Sequence, residues 1–253
     1  MGKNKLKKFA EMENIPFVFQ YPWAVLKEHP FPWRGKWHEF FGNNNPVTIE
    51  LGCGKGEYTV GLARTFPDRN FIGIDIKGAR MWTGAKDALS TGLKNVAFLR
   101  TDIEMLTSFF APGEVEELWI TFPDPQMQKA RHRLTGTRMM DLYRKVLAPS
   151  GIVNLKTDSP FLYNYTTLMA QHNNLAIKAS NSDIYNTPGQ GEMPPSLTAL
   201  QTHYEKQWLD RGLTIKYIAL TLEGNTTLEE PPGAEDIEKD TYRSYSRGQL
   251  QGS

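Results

Sequence analysis

Apolar runs of five or six residues alternate with stretches of helical periodicity through the middle of the chain. These runs predict buried strands over Val47–Leu51, Asn70–Asp75, Val96–Arg100, Glu117–Phe122 and Gly151–Lys156, with a later strand over Leu213–Leu222. Helices are expected near residues 57–65, 79–91, 138–147 and 159–173. Alternation of this kind indicates an α/β fold, in which a mostly parallel sheet carries helices on both faces.

The two ends of the chain differ from this region in composition. Residues 1–45 are rich in aromatic residues and proline, and we interpret them as an irregular extension whose aromatic side chains pack on the main domain. Residues 46–222 form that main domain. Residues 223–253 are polar and acidic, and we expect them to form a mobile tail with little to bury.

Bulk composition narrows the class of protein. A chain of 253 residues with 40% hydrophobic content is large enough for one α/β core. No apolar stretch approaches the roughly 18 residues of a membrane span, and the Lys-rich start lacks an apolar signal core, so we expect a soluble, cytoplasmic protein. Cys53 is the only cysteine, which predicts a small buried side chain, no disulfide, no cysteine-based zinc site and no metal.

A net charge of +1 hides an uneven distribution of charge. Residues 1–36 hold seven basic and three acidic side chains, and residues 129–145 hold six basic and one acidic. Residues 223–240 hold seven acidic side chains and one basic. The two basic segments favour a polyanionic partner, although a solvated helix face is the commoner cause of any one such cluster.

The first predicted strand runs into a glycine-rich turn. Glu50 is followed by Gly52, Gly54 and Gly56, and glycines at the head of a parallel sheet let the backbone turn tightly and approach a ligand. A dinucleotide fingerprint has its third glycine three residues after the second, whereas here it comes two after, so a dehydrogenase is disfavoured. A P-loop is excluded because no Gly-Lys-Ser/Thr closes the turn.

Acidic residues end the next two strands. Asp75 lies 21 residues after Gly54, where a carboxylate can accept hydrogen bonds from both ribose hydroxyls of an adenosine, and Asp102 follows the third strand, where it can accept from an adenine amine. Each acid alone is more often a helix cap or turn former. Together with the glycine turn they indicate an adenosine cofactor, and Glu50, a carboxylate in an apolar strand, also needs a partner.

Asp124 stands between two prolines where the fourth strand ends. Pro123 and Pro125 restrict the backbone, so they predict a stiff turn that presents one carboxylate. The basic stretch Lys129–Arg133 follows at once and is suited to phosphate oxygens. The alternative is an ordinary exit from a strand into a solvated loop.

These motifs together resemble a known family. Acid-x-Gly-x-Gly-x-Gly resembles the first motif of the class I S-adenosylmethionine-dependent methyltransferases. Phe122-Pro123-Asp124-Pro125, followed by Lys129-Ala130-Arg131-His132, resembles the tRNA (guanine-N7)-methyltransferases, the TrmB family, and the similarity covers roughly residues 47–222. The resemblance implies a Rossmann-like fold with a seven-stranded sheet, S-adenosyl-L-methionine as cofactor, tRNA as partner, and methylation at N7 of guanine 46 in the variable loop.

The resemblance also implies roles for particular residues. The family's cofactor-binding acids match Glu50, Asp75, Asp102 and Asp124, and Asp124 also matches the catalytic position. Its substrate-binding residues match Lys129, Asp158, Thr202 and Glu205. Thr202 and Glu205 also fit a helix capping box, which the sequence alone favours. Phosphate contacts are expected from Arg131, Arg133 and Arg138.

The chain departs from the family pattern directly after the Pro-Asp-Pro turn. The family usually has a tryptophan there, whereas this chain has Gln126-Met127-Gln128 and a loop one residue longer. Two rivals to the tRNA enzyme stay open: a class I methyltransferase for a non-tRNA acceptor, and a non-catalytic RNA-binding protein. The protein is expected to be a monomer or a homodimer without membrane contact.

Overall fold

The computed structural model describes residues 3–224 and 226–242, with side chains from residue 6 onward. The chain divides into two compact units. The first comprises Met1–Thr121 and Leu142–Val153, and the second comprises Phe122–Asp141 and Asn154–Ser253. The domain boundaries expected at residues 45 and 222 stay a prediction.

The first unit is built on parallel strands with helices between them. Its strands are β1 (Val18–Gln20), β2 (Val47–Leu51), β3 (Asn70–Ile74), β4 (Val96–Arg100), β5 (Val115–Thr121) and the first part of β6 (Leu147–Thr157), in the sheet order β1-β4-β3-β2-β5-β6. Its helices are α1 (Lys3–Glu13), α2 (Trp23–Glu28), α3 (Trp37–Phe41), α4 (Glu57–Thr65) and α5 (Gly78–Thr91), with a 3₁₀ turn at Ile103–Ser108. The pairs β1/β4, β4/β3, β3/β2 and β2/β5 are all parallel.

The apolar runs identified the central strands because these strands are covered on both sides. Every residue of β2 and β3 is buried, which is why their sequences are mainly apolar, and the polar residues within them, such as Glu50, need buried partners. Parallel neighbours need a crossover, and α4 and α5 provide it between β2, β3 and β4. The predicted fold class is confirmed.

The N-terminal segment is more regular than the sequence predicted. It was expected to be irregular, but it contains α1 and α2, and β1 joins the sheet beside β4. Its aromatic side chains do pack as core: Trp37 is fully buried, its indole Nε1 donates to the Phe109 carbonyl at 3.1 Å, and it meets Phe19 and Phe40 edge to face. The extension is therefore part of the first unit.

The second unit contains the antiparallel strands. The end of β6 is followed in sheet order by β9 (Lys216–Thr221), β7 (Ile177–Asn181) and the short β8 (Gln190–Gly191). Its helices are α7 (Pro160–His172), α8 (Ser196–Ala199), α9 (His203–Asp210) and the start of α6 (Thr137–Arg144), with 3₁₀ turns at Ala130–His132 and Ala234–Asp236. The described residues thus hold nine strands rather than the seven expected, and β1, β7 and β8 lie outside the segments predicted as strands.

The C-terminal segment, residues 226–242, packs against the second unit. Leu228 is buried, and Glu230 accepts hydrogen bonds from the Tyr165 hydroxyl at 2.8 Å and the Thr137 hydroxyl at 2.7 Å. The expectation of little burial therefore fails here, because acidic residues of this segment serve as acceptors for neighbouring groups. Residues 243–253 of the expected tail lie outside the described residues.

Asp240 accepts hydrogen bonds from donor groups at the start of helix α7. Its carboxylate is 8% exposed and accepts from the Ser159 hydroxyl at 2.5 Å and the Phe161 N–H at 3.1 Å. The first N–H groups of a helix have no partner within the helix, and an anion there also meets the favourable end of the helix dipole. Asp240 also donates its own N–H to the Met127 sulfur at 3.2 Å, in the loop that follows the Pro-Asp-Pro turn.

Replacement of Asp240 by Ala is expected to lower the free energy of unfolding by about 1–3 kcal/mol, since it leaves buried donors at the start of α7 without their acceptor. Urea-induced unfolding measures the change. Glu235→Ala is the matched control, because Glu235 is an exposed acid of the same segment. Equal shifts for the two variants would show that Asp240 does not stabilise α7.

Candidate active site

The glycine turn is fixed to the end of strand β3. The N–H groups of Gly52 and Cys53 both donate to the Ile74 carbonyl, at 2.8 and 3.0 Å. Gly54 continues the turn with φ +56°, a left-handed backbone conformation that residues other than glycine adopt with strain. The turn therefore has one defined shape at the carboxyl end of the parallel strands.

Glycine is needed in this turn for two different reasons. At Gly56, with φ +74°, an added Cβ would lie 2.6 Å from the Phe98 ring and 3.3 Å from the Gly84 Cα, so the residue allows close packing of the turn on helix α5. At Gly52 an added Cβ would meet nothing within 4 Å, and at Gly54 only the Gly52 carbonyl oxygen at 3.9 Å. These two positions leave open space along the backbone, which suits the approach of a ligand.

Asp75 lies beside the glycine turn, as the sequence predicted. Its carboxylate accepts from the Gly54 N–H at 2.9 Å and from the Lys77 N–H at 2.6 Å. Each oxygen accepts one of these bonds, and an ionised carboxylate has about four acceptor sites, so capacity for further donors is left. The residue that follows, Ile76, is 59% exposed.

Asp102 is exposed and caps the 3₁₀ turn Ile103–Ser108. It accepts from the Glu104 N–H at 3.1 Å, so the helix-cap interpretation of this residue is confirmed. Strand β4, which it follows, is the parallel neighbour of β3, and both strands end at the same edge. Contact with an adenine stays a prediction.

Glu50 is a buried carboxylate with partners from within the first unit. It is 3% exposed and accepts from the Thr121 hydroxyl at 2.6 Å, from the Thr59 N–H at 2.9 Å and from the Thr59 hydroxyl. Burial raises the pKa of Glu50 from 4.5 to about 7 against the opposing effect of these bonds, and the Asp75 charge adds to the rise. Thr59 and Thr121 thus provide the hydrogen-bond donors that a carboxylate in an apolar strand needs.

The Pro-Asp-Pro turn presents one carboxylate to solvent. Asp124 is exposed while Pro123 and Pro125 are buried, and Asp124 accepts from the Gln126 N–H at 3.0 Å. Phe122 and Gln126 both have φ of +48°, a strained conformation for residues with side chains, which the surrounding structure must hold. The turn thus presents a single carboxylate, as predicted, and its stiffness stays a prediction.

Arg133 holds this turn from inside the second unit. Its guanidinium donates to the carbonyls of Pro125 and Gln126 at 3.3 and 3.2 Å, and lies over the Tyr165 ring at 3.9 Å from the centroid. Arg133 is 4% exposed. The buried position of Arg133 therefore does not support the expected contact with phosphate.

Three other cations of the basic stretch face solvent. Lys129, Arg131 and Arg138 are all exposed. The Arg131 guanidinium donates to the His132 ring at 3.2 Å, and Arg138 donates to the Arg131 carbonyl at 3.5 Å. Their charges are accessible to a polyanion, as the sequence predicted.

Thr202 and Glu205 form a capping box at the start of helix α9, which confirms the interpretation favoured by the sequence alone. Glu205 is fully buried, and its carboxylate is bonded by Lys156 Nζ and by the Tyr185 hydroxyl, each at 2.8 Å. Burial lowers the pKa of Lys156 against the attraction of Glu205. The carboxylate offers no surface to a nucleoside in this structure.

Asp158, the other expected substrate residue of this region, is also buried. It accepts a hydrogen bond from the Tyr242 hydroxyl at 2.6 Å, and Tyr242 packs edge to face on Trp208. The contacts of Tyr242 and Lys156 were not predicted from the sequence, because both depend on pairings between residues distant in the chain.

Within residues 3–224 and 226–242, the acidic, histidine and cysteine side chains form no cluster that could hold a metal ion. The helices of that same part of the chain are too short or too polar to cross a membrane.

Comparison with known proteins places the chain in a family. A family model described as a putative methyltransferase matches residues 44–218, so the glycine turn and Asp75 belong to a methyltransferase domain. The chain is 57% identical over 239 residues to the tRNA (guanine-N(7)-)-methyltransferase of Porphyromonas gingivalis, across 93% of this chain and 96% of that one. It is 54% identical over 253 residues to the enzyme of the same name from Bacteroides thetaiotaomicron, across 100% and 98% of the two chains. The chain belongs to the tRNA (guanine-N7)-methyltransferase family.

Solved structures agree on the fold. The 30S ribosomal A1408 methyltransferase from an uncultured bacterium is 16% identical and matches with a TM-score of 0.53, covering 74% of this chain and 92% of that one. The 16S rRNA (adenine(1408)-N(1))-methyltransferase from Catenulisporales acidiphilia is 14% identical and also has a TM-score of 0.53, covering 76% and 94%. At such identity the likeness shows the methyltransferase fold alone.

The raised pKa of Glu50 predicts a specific pH dependence of stability. Between about 4.5 and 7 the folded state holds a proton that the unfolded state has released, so the free energy of unfolding should fall as pH rises through this window. Glu50→Gln removes the titrating carboxyl and with it this pH-dependent contribution. The free energy of unfolding of the variant, relative to that of the wild type, should therefore rise by up to about 3 kcal/mol across the window and then level off. Urea unfolding from pH 4 to 8 measures both proteins. Glu57→Gln, an exposed acid of the neighbouring helix turn, is the control, and parallel profiles for wild type and Glu50→Gln would contradict the assignment.

Proposed function

We propose that the protein methylates N7 of a guanine in tRNA, guanine 46 of the variable loop, with S-adenosylmethionine as the donor. The observation that carries the proposal is the Pro-Asp-Pro turn, in which Asp124 is exposed and accepts from the Gln126 N–H. The chain that holds this turn is 54–57% identical to enzymes named tRNA (guanine-N(7)-)-methyltransferase. The exposed cations Lys129, Arg131 and Arg138 support a polyanionic acceptor.

The first unit fits the cofactor. Open space beside Gly52 and Gly54 admits the donor's chain, Asp75 retains acceptor capacity for the ribose hydroxyls, and exposed Asp102 serves the adenine amine. Glu50 contributes a carboxylate for the amino-acid end, held by Thr59 and Thr121. When bound, S-adenosylmethionine supplies an electrophilic methyl group.

The task of Asp124 follows from the chemistry of the acceptor. The N7 atom of guanine carries a lone pair and no proton at neutral pH, so the reaction requires alignment and no general base. A carboxylate with one oxygen already bonded to the Gln126 N–H has a fixed direction, and it can accept from the N1–H and 2-amino donors of guanine. Asp124 therefore orients the base.

The residues expected to bind substrate divide into two groups. Lys129 is exposed and is retained as a direct contact, with Arg131 and Arg138 on the phosphates. Asp158, Thr202 and Glu205 are buried, and we propose that they act by holding the end of β6 and the start of α9 in place. Their bonded partners, Tyr242 and Lys156, are then part of the same support.

Incubation with labelled S-adenosylmethionine and unmodified tRNA, followed by borohydride–aniline cleavage, tests the proposal. We expect the tRNA to be cut once, at position 46, and we expect no labelling of a tRNA that has adenine at that position.

Asp124→Ala should lower kcat by roughly 100-fold or more while S-adenosylhomocysteine affinity stays within roughly tenfold, because the lost contact is to the acceptor. Asp68→Ala, an exposed acid of the first unit, is the control. Methylation at another position, or in the adenine-substituted tRNA, would refute the assignment.

Arg131 and Arg133 should respond differently to substitution by Ala. Arg131→Ala is expected to weaken tRNA binding and to reduce the slope of log affinity against log salt by about 1, since one phosphate contact is lost. Arg133→Ala is expected to lower the free energy of unfolding by about 2–3 kcal/mol through loss of two hydrogen bonds and a cation–π contact. Binding assays from 50 to 200 mM salt and urea unfolding measure the two effects. A changed salt slope in an Arg133→Ala protein that is fully folded would restore Arg133 to the phosphate contacts.

A further inference from the structure

Two exposed hydrophobic side chains lie at one edge of the first unit. Among the described residues, the large hydrophobic side chains with high exposure are Leu6, Trp23, Ile76 and Leu89. Trp23 is 67% exposed and Ile76 is 59% exposed, and both follow the carboxyl ends of parallel strands. Isolated surface hydrophobics are common, so the position of these two decides whether they matter.

Trp23 is brought to this edge by strand β1. Gln20 is in register with Arg100 of β4, and the contact continues beyond the strands. The Tyr21 N–H donates to the Arg100 carbonyl at 3.1 Å, and the Thr101 hydroxyl donates to the Tyr21 carbonyl at 2.9 Å. Asp102 follows Thr101 directly and Trp23 lies two residues after Tyr21, so the two residues leave the sheet from neighbouring strands.

Helix α2 does not use Trp23 for packing. None of its side chains is buried, although the neighbouring aromatic residues Phe31 and Trp37 are core. Its first turn is nevertheless defined, because Pro22 precedes it with φ −66° and the Val25 N–H donates to the Pro22 carbonyl at 2.9 Å. An indole is thus held in solvent on a defined turn.

The sheet order β1-β4-β3 sets Asp102 between these two hydrophobic residues. Trp23 follows β1 on one side, and Ile76 follows β3 on the other, next to Asp75. A flat, neutral heteroaromatic ring whose amine bonds to Asp102 would be flanked by an indole and an aliphatic side chain. An aromatic face and an apolar contact suit such a ring, and Asp102 supplies the polar partner.

We propose that Trp23 is a cofactor-binding residue that forms one wall of the adenine pocket, opposite Ile76. The inference rests on the proposed function, since the adenine belongs to S-adenosylmethionine. It gives the N-terminal segment a role beyond its core packing: β1 carries a stacking residue to the cofactor edge. Trp23 binds and orients the cofactor and takes no part in the chemical step.

Calorimetry with S-adenosylhomocysteine tests the proposal directly. Trp23→Ala should weaken binding by roughly tenfold through loss of the stacked ring, whereas Trp23→Phe should retain most of the affinity. Leu89→Ala is the matched control, because Leu89 is also an exposed hydrophobic residue but lies in the last turn of α5. We expect its affinity to equal that of the wild type.

Tryptophan fluorescence gives a second readout. Addition of S-adenosylhomocysteine should quench the wild-type emission, and the Trp23→Phe protein should lose that part of the quenching. Since α2 buries no side chain, both variants should keep the wild-type unfolding midpoint. If Trp23→Ala is unstable, Trp23→Phe fluorescence still decides the question.

The outcomes separate the inference from the proposed function. Wild-type affinity in Trp23→Ala would overturn the inference, including the case in which only the KM for tRNA rises and Trp23 is an RNA contact. A wild-type protein that binds no S-adenosylhomocysteine would overturn the proposed function and the inference with it. A methylating wild type with unchanged fluorescence on cofactor binding would overturn the inference alone.

Discussion

Three consecutive backbone N–H groups in the glycine turn are satisfied by the end of one neighbouring strand. Gly52 and Cys53 donate to the Ile74 carbonyl, and Gly54 donates to the Asp75 carboxylate. These bonds join the turn to the end of β3, so they fix how β2 passes into α4 and where Asp75 points. The shape of the turn and the orientation of the Asp75 carboxylate both depend on this one attachment.

The second unit is held together in part by charged side chains in its interior. Arg133 holds the carbonyls behind the Pro-Asp-Pro turn, and Lys156 and Glu205 join β6 to α9. Burying a charge is costly unless it is paired and hydrogen-bonded, and here each of the three has such partners. Removal of one member leaves the other unsatisfied, so these residues tolerate substitution poorly although they lie away from solvent.

The sequence predicted the parts of the structure that are encoded locally. Strands β2 to β4 are continuous apolar runs because they are buried on both faces, and the glycine turn with Asp75 is a short motif joined to one strand end. Strand β1 was missed because three residues carry no periodic signal and its pairing with β4 is tertiary. The burial of Arg133 and Glu205 was not predicted, since a basic stretch and a Thr-x-x-Glu motif do not reveal which side chains turn inward. The acid Glu205 pairs with Lys156, 49 residues earlier, and no pattern in the chain marks that pairing.

The contacts of Asp240 have a consequence for the order in which the protein is made. This residue completes the start of α7 from 81 residues away in sequence and reaches Met127 across 113 residues. A ribosome releases the chain from its N-terminus, so the glycine turn and β1 to β5 emerge and can assemble long before Asp240 exists. The loop behind Asp124 receives its last support only near the end of synthesis. During translation the nascent chain can thus hold a formed glycine turn while the loop behind Asp124 still lacks a contact of the finished protein.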